Sequence, residues 1–137
     1  MQTREHVNLV IYRPSIIACA YREPFRAWTD SLSAAGGLSL LSALGLMKYV
    51  HGDGSNPFDV IPVDYIVNGI LITSCKGAKE KNYFEVYNAG STDGNMITMK
   101  DYRDLGLGGY KNHRYDLQQF PALVNFIPSD FEFMVRK

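Results

Sequence analysis

Val7-Asn8-Leu9-Val10-Ile11-Tyr12 is almost continuously apolar and rich in β-branched residues, so it reads as a strand buried on both faces, as in a parallel sheet. Arg13-Pro14-Ser15 ends it, because proline donates nothing to a ladder and pushes its predecessor out of the helical region. A second run, Tyr83-Phe84-Glu85-Val86-Tyr87-Asn88, reads as another strand and leaves through the turn-rich Ala89-Gly90-Ser91-Thr92-Asp93-Gly94-Asn95. About seventy residues of mainly helical pattern lie between the two. Two strands joined in that way predict a βαβ crossover, hence an α/β architecture in which they are parallel neighbours.

The intervening segment divides at its turn formers. Residues 24–35 predict a short helix around Trp28 closed by Gly36-Gly37, and residues 39–48 a second helix. His51-Gly52-Asp53-Gly54-Ser55-Asn56-Pro57 is a loop. Asp64 is an N-cap candidate for a helix that places Ile66, Val67, Ile70 and Leu71 on one face and stops at Lys76-Gly77. Thr98, three residues before Asp101, caps a helix expected to stop near Gly106 to Gly109. Beyond Tyr110, Pro121 and Pro128 leave room for one or two short helices. A doubly wound sheet is built from two βαβαβ halves with the phosphate-binding turn in the first. Two strands therefore point to the carboxy-terminal part of a Rossmann-type parallel sheet, without its amino-terminal strands. Residues 1–100 are expected to form the late part of that domain with a substrate-side insertion, and residues 101–137 the start of a carboxy-terminal region.

Composition narrows the function classes. With 46% hydrophobic and 20% charged residues, nine Tyr and seven Phe, the 137-residue chain is too apolar for a disordered tail. Fourteen basic and fourteen acidic side chains cancel and are scattered, which argues against a nucleic-acid partner. Cys19 and Cys75 lack a CxxC or His partner, and no Asn-x-Ser/Thr acceptor occurs, so an intracellular, reducing compartment is expected. Arg4, Glu5, His6 and Asn8 interrupt any signal-peptide core, and no apolar run approaches the roughly 18 to 20 residues of a spanning helix.

Motifs for autonomous chemistry are missing from these residues. Gly106-Leu107-Gly108-Gly109 has Lys111 where a dinucleotide fingerprint needs its last glycine, and it reads as helix-stop glycines. His6, His51 and His113 are far apart, so no metal ligands are assigned. Ser39 lacks the second glycine of a nucleophile elbow. The pairs Asp53/Asp59 and Asp101/Asp104 read as loop and helix-surface residues, and no catalytic residue is assigned. Trp28, the single tryptophan, is either core packing or the wall of an apolar substrate pocket.

The order of segments carries more than any one motif. Tyr12-Arg13-Pro14-Ser15-Ile16-Ile17, Glu23-Pro24-Phe25-Arg26-Ala27-Trp28, Gly37-Leu38, residues 59–68 and Val86-Tyr87-Asn88-Ala89-Gly90-Ser91 resemble, in order and spacing, the fatty acyl-CoA reductases, also called male-sterility-type proteins. These are extended short-chain dehydrogenases/reductases. The resemblance covers about residues 7–100 and implies NADPH as cofactor and a long-chain acyl-CoA as substrate. It implies that Pro14, Ser15 and Ile16 flank the nicotinamide, that residues 23–47 lie on the acyl side, and that the protein is peroxisomal or associated with the endoplasmic reticulum membrane through parts outside these residues. Two departures stand out. Ala27 occupies a position usually held by glycine before the tryptophan, and none of the nine tyrosines has a lysine four residues on. In that family the Tyr-x-x-x-Lys tyrosine donates the proton. The resemblance thus implies a fatty acyl-CoA reductase represented by a segment inactive alone; an inactive truncated paralogue and a stand-alone interaction module are the alternatives. In that family the segment matching Arg13-Pro14-Ser15-Ile16 follows the sixth strand of the sheet, so the resemblance makes residues 7–12 that strand without its neighbour and implies self-association through an exposed sheet edge.

Overall fold

The computed structural model describes residues 7–112, 116 and 120–136. Its elements in chain order are β1 (Leu9–Pro14), β2 (Ile16–Ala18), α1 (Ala34–Ala43), β3 (Tyr49–His51), β4 (Val60–Pro62), α2 (Val63–Lys79), β5 (Phe84–Ala89), α3 (Met99–Asn112), β6 (Asn125–Ile127) and α4 (Asp130–Arg136). The chain divides into two compact units, Met1–Thr29 with Val60–Ser91, and Asp30–Asp59 with Thr92–Lys137.

In the first unit β1 and β5 pair in parallel, in register from Leu9 opposite Phe84 to Pro14 opposite Ala89, and β2 pairs in parallel with β4. The α/β class with parallel neighbours expected from the two apolar runs is therefore the one the chain has. β1 ends on Pro14 instead of before it. Leu9 and Ser15 donate their N–H groups to Tyr83 and Ala89 of the β5 side, so by alternation the nitrogen of Pro14 faces away from β5, where no donor is needed. The expectation of burial on both faces fails, since β1 holds no fully buried residue. Among the described residues it has one strand partner, β5, and α2 packs against it.

α2 runs two residues past its Lys76-Gly77 stop signal, to Lys79, and Asn8 supplies its end from a distance. Its amide donates to the carbonyls of Gly77 and Glu80 at 2.8 Å, and its oxygen accepts the Tyr83 N–H at 2.9 Å. One side chain thereby satisfies carbonyls that a helix terminus leaves without partners and fixes the start of β5. Ile66, Thr73 and Gly77 form the buried stripe of α2. Gly69 is there for close approach, because a Cβ would stand 2.1 Å from the Tyr12 hydroxyl.

The second unit pairs β3 with β6 in parallel, with α4 against both strands and α3 against α1. Phe58 and Tyr102 meet as tilted rings with centroids 4.7 Å apart, and Phe58, Ala35, Ala43, Val124 and Ile127 are the unit's buried apolar residues. Thr98 and Asp101 cap α3 reciprocally: Thr98 N–H donates to the Asp101 carboxylate at 2.9 Å and Asp101 N–H donates to Thr98 Oγ1 at 3.0 Å. α3 runs through the glycines expected to end it, reaching Asn112. Two helix boundaries are also corrected. Residues 24–33 are not helical, and α1 begins at Ala34, so Gly36 and Gly37 lie in its first turn. There a Cβ would meet the Ser31 and Leu32 carbonyl oxygens at 2.6 and 2.3 Å.

The glycine that does end α1 is Gly45, at φ 73°. Gly45 N–H donates to Ser42 and Leu46 N–H to Leu41, the paired bonds of a Schellman motif. An added Cβ would lie 2.3 Å from the Phe120 carbonyl oxygen. Gly45→Ala is therefore expected to cost about 2–4 kcal/mol, combining left-handed strain with a backbone clash. The urea midpoint measures it; an unchanged midpoint would disprove the assignment.

Candidate functional site

Pro14, Ser15, Ile16 and Trp28 fall in the first unit, whereas Gly37-Leu38 and most of residues 23–47 lie in the second. Pro14 is the last residue of β1, Ser15 N–H continues the ladder by donating to Ala89 at 2.9 Å, and Ile16 opens β2. They form the turn at the carboxyl end of a parallel strand, the edge at which open α/β sheets take ligands. Ser15 Oγ is shut off from solvent and has no hydrogen-bond partner among the described residues. Leaving a hydroxyl in that state costs about 1–3 kcal/mol, so this is a position where a ligand's amide or carbonyl would recover energy.

Downstream of β2 the chain makes a loop whose shape comes from one carboxylate. Asp64, which the sequence cast as an N-cap, lies inside α2 behind Pro62; its oxygens accept the N–H groups of Tyr21, Arg22 and Glu23 at 3.0, 2.9 and 3.3 Å. The Tyr21 amide is the main cause that holds its carboxyl below the usual aspartate range. Asp64 is thus an anion with its lone pairs engaged, a positioning group instead of a proton donor. The same capture of three consecutive amides explains why residues 21–27 form turns. The signal in the sequence, an acid in a helix's first turn, is shared by ordinary helix starts and could not reveal a partner more than forty residues away.

Trp28 closes that loop, accepting the Ala20 N–H at 2.9 Å while Ala27 N–H donates back to Ala20 at 2.9 Å. Its half-buried ring lines a pocket of about 340 Å3 with Glu23, Pro24, Val63, Val67 and Asn68. That volume lies in the range of small-molecule sites. Ala27 adopts φ 63°, a conformation that glycine reaches without penalty. Ala27→Gly is expected to raise stability by about 0.5–1 kcal/mol, the left-handed penalty relieved less the entropy glycine adds to the unfolded chain. A lowered thermal midpoint would contradict the backbone assignment.

Across α2, Lys76, Tyr83, Glu85 and Tyr87 gather into one cluster. The Glu85 carboxylate accepts from the Tyr83 hydroxyl at 2.5 Å, from the Tyr87 hydroxyl, and from Lys76 Nζ at 3.2 Å. The Tyr83 and Tyr87 hydroxyls, then the lysine, bring Glu85 down to about 2; desolvation and the carboxylate push Tyr83 up to about 12. Lys76 next to Tyr83 invites comparison with a catalytic Tyr/Lys pair, yet Glu85 reverses its effect and leaves the phenol a poorer acid. The cluster clamps α2 to β5. Among the described residues no three His, Cys, Asp or Glu side chains could hold a metal ion. His51 pairs with Asp130 at 2.7 Å, correcting its reading as a loop residue beside Asp53, while His6 and His113 lie outside the described residues.

The family model and the curated relatives point to one family. The family model described as male sterility protein, an NAD-binding model, matches residues 1–70. Fatty acyl-CoA reductase 1 of Arabidopsis thaliana is 29% identical over 102 residues, which is 74% of this chain and 21% of that protein. The Drosophila melanogaster fatty acyl-CoA reductase wat is 29% identical over 106 residues, 77% and 20% respectively. Fatty acyl-CoA reductase 1 of Xenopus laevis is 31% identical over 88 residues, 64% and 17%. The chain thus spans about a fifth of the length of these curated relatives. A solved UDP-glucose 4-epimerase from Thermotoga maritima is 17% identical, covers 91% of this chain and 38% of its own, and superposes with a TM-score of 0.48. The matched model spans the β1–β2 turn, the Trp28 loop and the start of α2, and on that footing the chain belongs to the male sterility protein family.

Proposed function

We propose that the chain works within an NADPH-dependent reduction of a long-chain acyl-CoA to fatty alcohol by way of the aldehyde. Its residues 1–100 would serve as the late part of the reductase domain, residues 101–137 as the start of the next region. NADPH, where bound, would supply one hydride to the thioester carbonyl carbon, coenzyme A leaving as the thiol with a proton from an acid outside the described residues, and a second hydride and proton would take the aldehyde to the alcohol. Pro14, Ser15 and Ile16 would line the nicotinamide side: the rigid Pro14 ends the strand, Ser15 offers its unpartnered hydroxyl to the carboxamide, and Ile16 excludes water. Trp28 would form a wall of the acyl site, held by the Asp64 anchor of its loop. Membrane association would come through other parts of the protein.

The observation that carries this reading is the orphaned Ser15 hydroxyl at the carboxyl end of a parallel strand, inside the family match. A buried hydroxyl without a partner is uncommon in a folded protein, and unsatisfied groups gather where a ligand completes them. Reading the gene upstream of Met1 tests the assignment. A strand followed by a glycine-rich turn, together with Tyr-x-x-x-Lys, supports the enzyme; an in-frame stop immediately upstream removes it in favour of a relic.

A further inference from the structure

The second unit holds an open pocket of about 630 Å3, within the size range of small-molecule sites. Three segments converge on it. At the end of α1 the left-handed Gly45 lets the Phe120 backbone into contact, since a Cβ there would stand 2.3 Å from the Phe120 carbonyl oxygen, and this close approach brings Phe120 into one wall. β3 supplies Tyr49, next to the Lys48 carbonyl that accepts the Asn125 N–H at 2.9 Å and so ties this stretch to β6. α4 supplies Phe133, whose ring meets the His51 ring at 5.3 Å beside the His51–Asp130 pair. Three aromatic side chains thus line the cleft, together with Leu41 and Met47.

Its charge is one-sided. Lys48 and Arg136 line the pocket, and among the described residues no Asp or Glu does. Arg136 pairs with Glu132 at 2.7 Å and lies 5.9 Å from the Tyr49 ring centre, so its charge is answered within α4. Lys48 has no ion pair among the described residues; its ammonium lies 5.1 Å from the centre of the Phe120 ring, whose π face attracts it. A positive charge without a counterion beside aromatic walls is complementary to a ligand with a flat apolar body and one anionic group. We infer that the pocket is a binding site for a flat aromatic monocarboxylate, the carboxylate meeting the Lys48 ammonium and the ring lying against Tyr49, Phe120 and Phe133. An aromatic body suits these walls better than a saturated one of equal size, because offset and edge-on ring pairs add to what buried area alone supplies. This ligand is distinct from the nicotinamide cofactor and the acyl-CoA of the reductase reading, and its binding depends on neither.

The test uses the 137-residue chain in low-salt buffer at neutral pH with 2-naphthoate, the uncharged 2-naphthamide and the saturated decalin-2-carboxylate. Binding is followed through the Met47 methyl signal, with Met96 as a reference outside the pocket lining. 2-Naphthoate is expected to bind about three- to fivefold more tightly than either analogue, the scale of an exposed ion pair and of a ring contact. Its lead over the amide should vanish as salt approaches about 1 M, where charges are screened within about 3 Å. Lys48→Gln should bring 2-naphthoate down to the level of the amide and leave the amide unchanged, a split that a merely packing role for this exposed lysine would not give. Lys48→Glu should weaken 2-naphthoate at least tenfold. The site is overturned by equal binding of naphthoate and amide, by a lead that survives in Lys48→Gln, by decalin-2-carboxylate binding as tightly as 2-naphthoate, or by a Met47 signal that does not move. Should a variant fail to fold, the salt dependence in the unaltered chain decides: a lead that vanishes with salt supports the site, and one that persists overturns it.

Discussion

A solution of these 137 residues given NADPH and palmitoyl-CoA is expected to leave the nicotinamide absorbance unchanged. A positioned general acid contributes roughly 10²–10⁴-fold, and preorganised stabilisation of developing negative charge a further 10²–10³-fold. The described residues of the first unit supply neither. Asp64 is an anion fixed by three amides, and Glu85 is an anion engaged by two phenols and a lysine. Tyr83, the tyrosine beside a lysine, is pushed up to about 12 by desolvation and the Glu85 carboxylate, in the direction opposite to the one proton donation at neutral pH requires. None of the nine tyrosines has a lysine four residues on. Clear turnover by the purified chain would mean that the catalytic acid lies among these residues and that the family's Tyr/Lys arrangement is the wrong template.

What was legible in the sequence was what is written locally. β1 and β5 announce themselves by largely apolar runs and α2 by its helical spacing, although only Ile66 of the stripe read there is buried, and the Thr98/Asp101 capping box needs three residues of spacing and nothing else. The strands that escaped, β2, β3, β4 and β6, have three residues each and exist through pairing with segments far along the chain, such as Tyr49 with Asn125. Helix boundaries near glycine were misplaced because Gly36, Gly37 and Gly45 look alike as letters. Only the φ of 73° at Gly45, and the carbonyls pressed against the other two, separate a helix end from a close packing contact. The candidate site divides in the same way. Pro14, Ser15 and Ile16 were reached through resemblance and Trp28 as the single tryptophan, whereas the Asp64 anchor and the solitary Ser15 hydroxyl depend on who stands next to whom in space.

The chain on its own is expected to associate. A surface helix ordinarily turns its apolar stripe inward. α2 instead buries Asp64, Ile66, Thr73 and Gly77 while Tyr65, Val67, Ile70, Leu71 and Ile72 remain between 44% and 69% exposed. Phe84 and Val86 of β5 and Leu9 of β1 are exposed as well. Apolar surface gathered along one helix and the two strands beside it is more than soluble monomers usually show, and it seeks cover. The sheet adds a second route: β1 and β5 each have one bonded neighbour among the described residues, and residues 7–12 carry neither the lysine nor the proline that natural edges use to discourage pairing. A formal net charge of zero supplies no repulsion to hold copies apart. Light scattering on a size-exclusion column should therefore give a mass above the 15.4 kDa monomer that rises with loading, and Leu71→Glu with Ile72→Lys should bring it down. A monomer at every loading, melting in one cooperative step, would show instead that the exposed face of α2 is tolerated and that these residues are self-sufficient in solution.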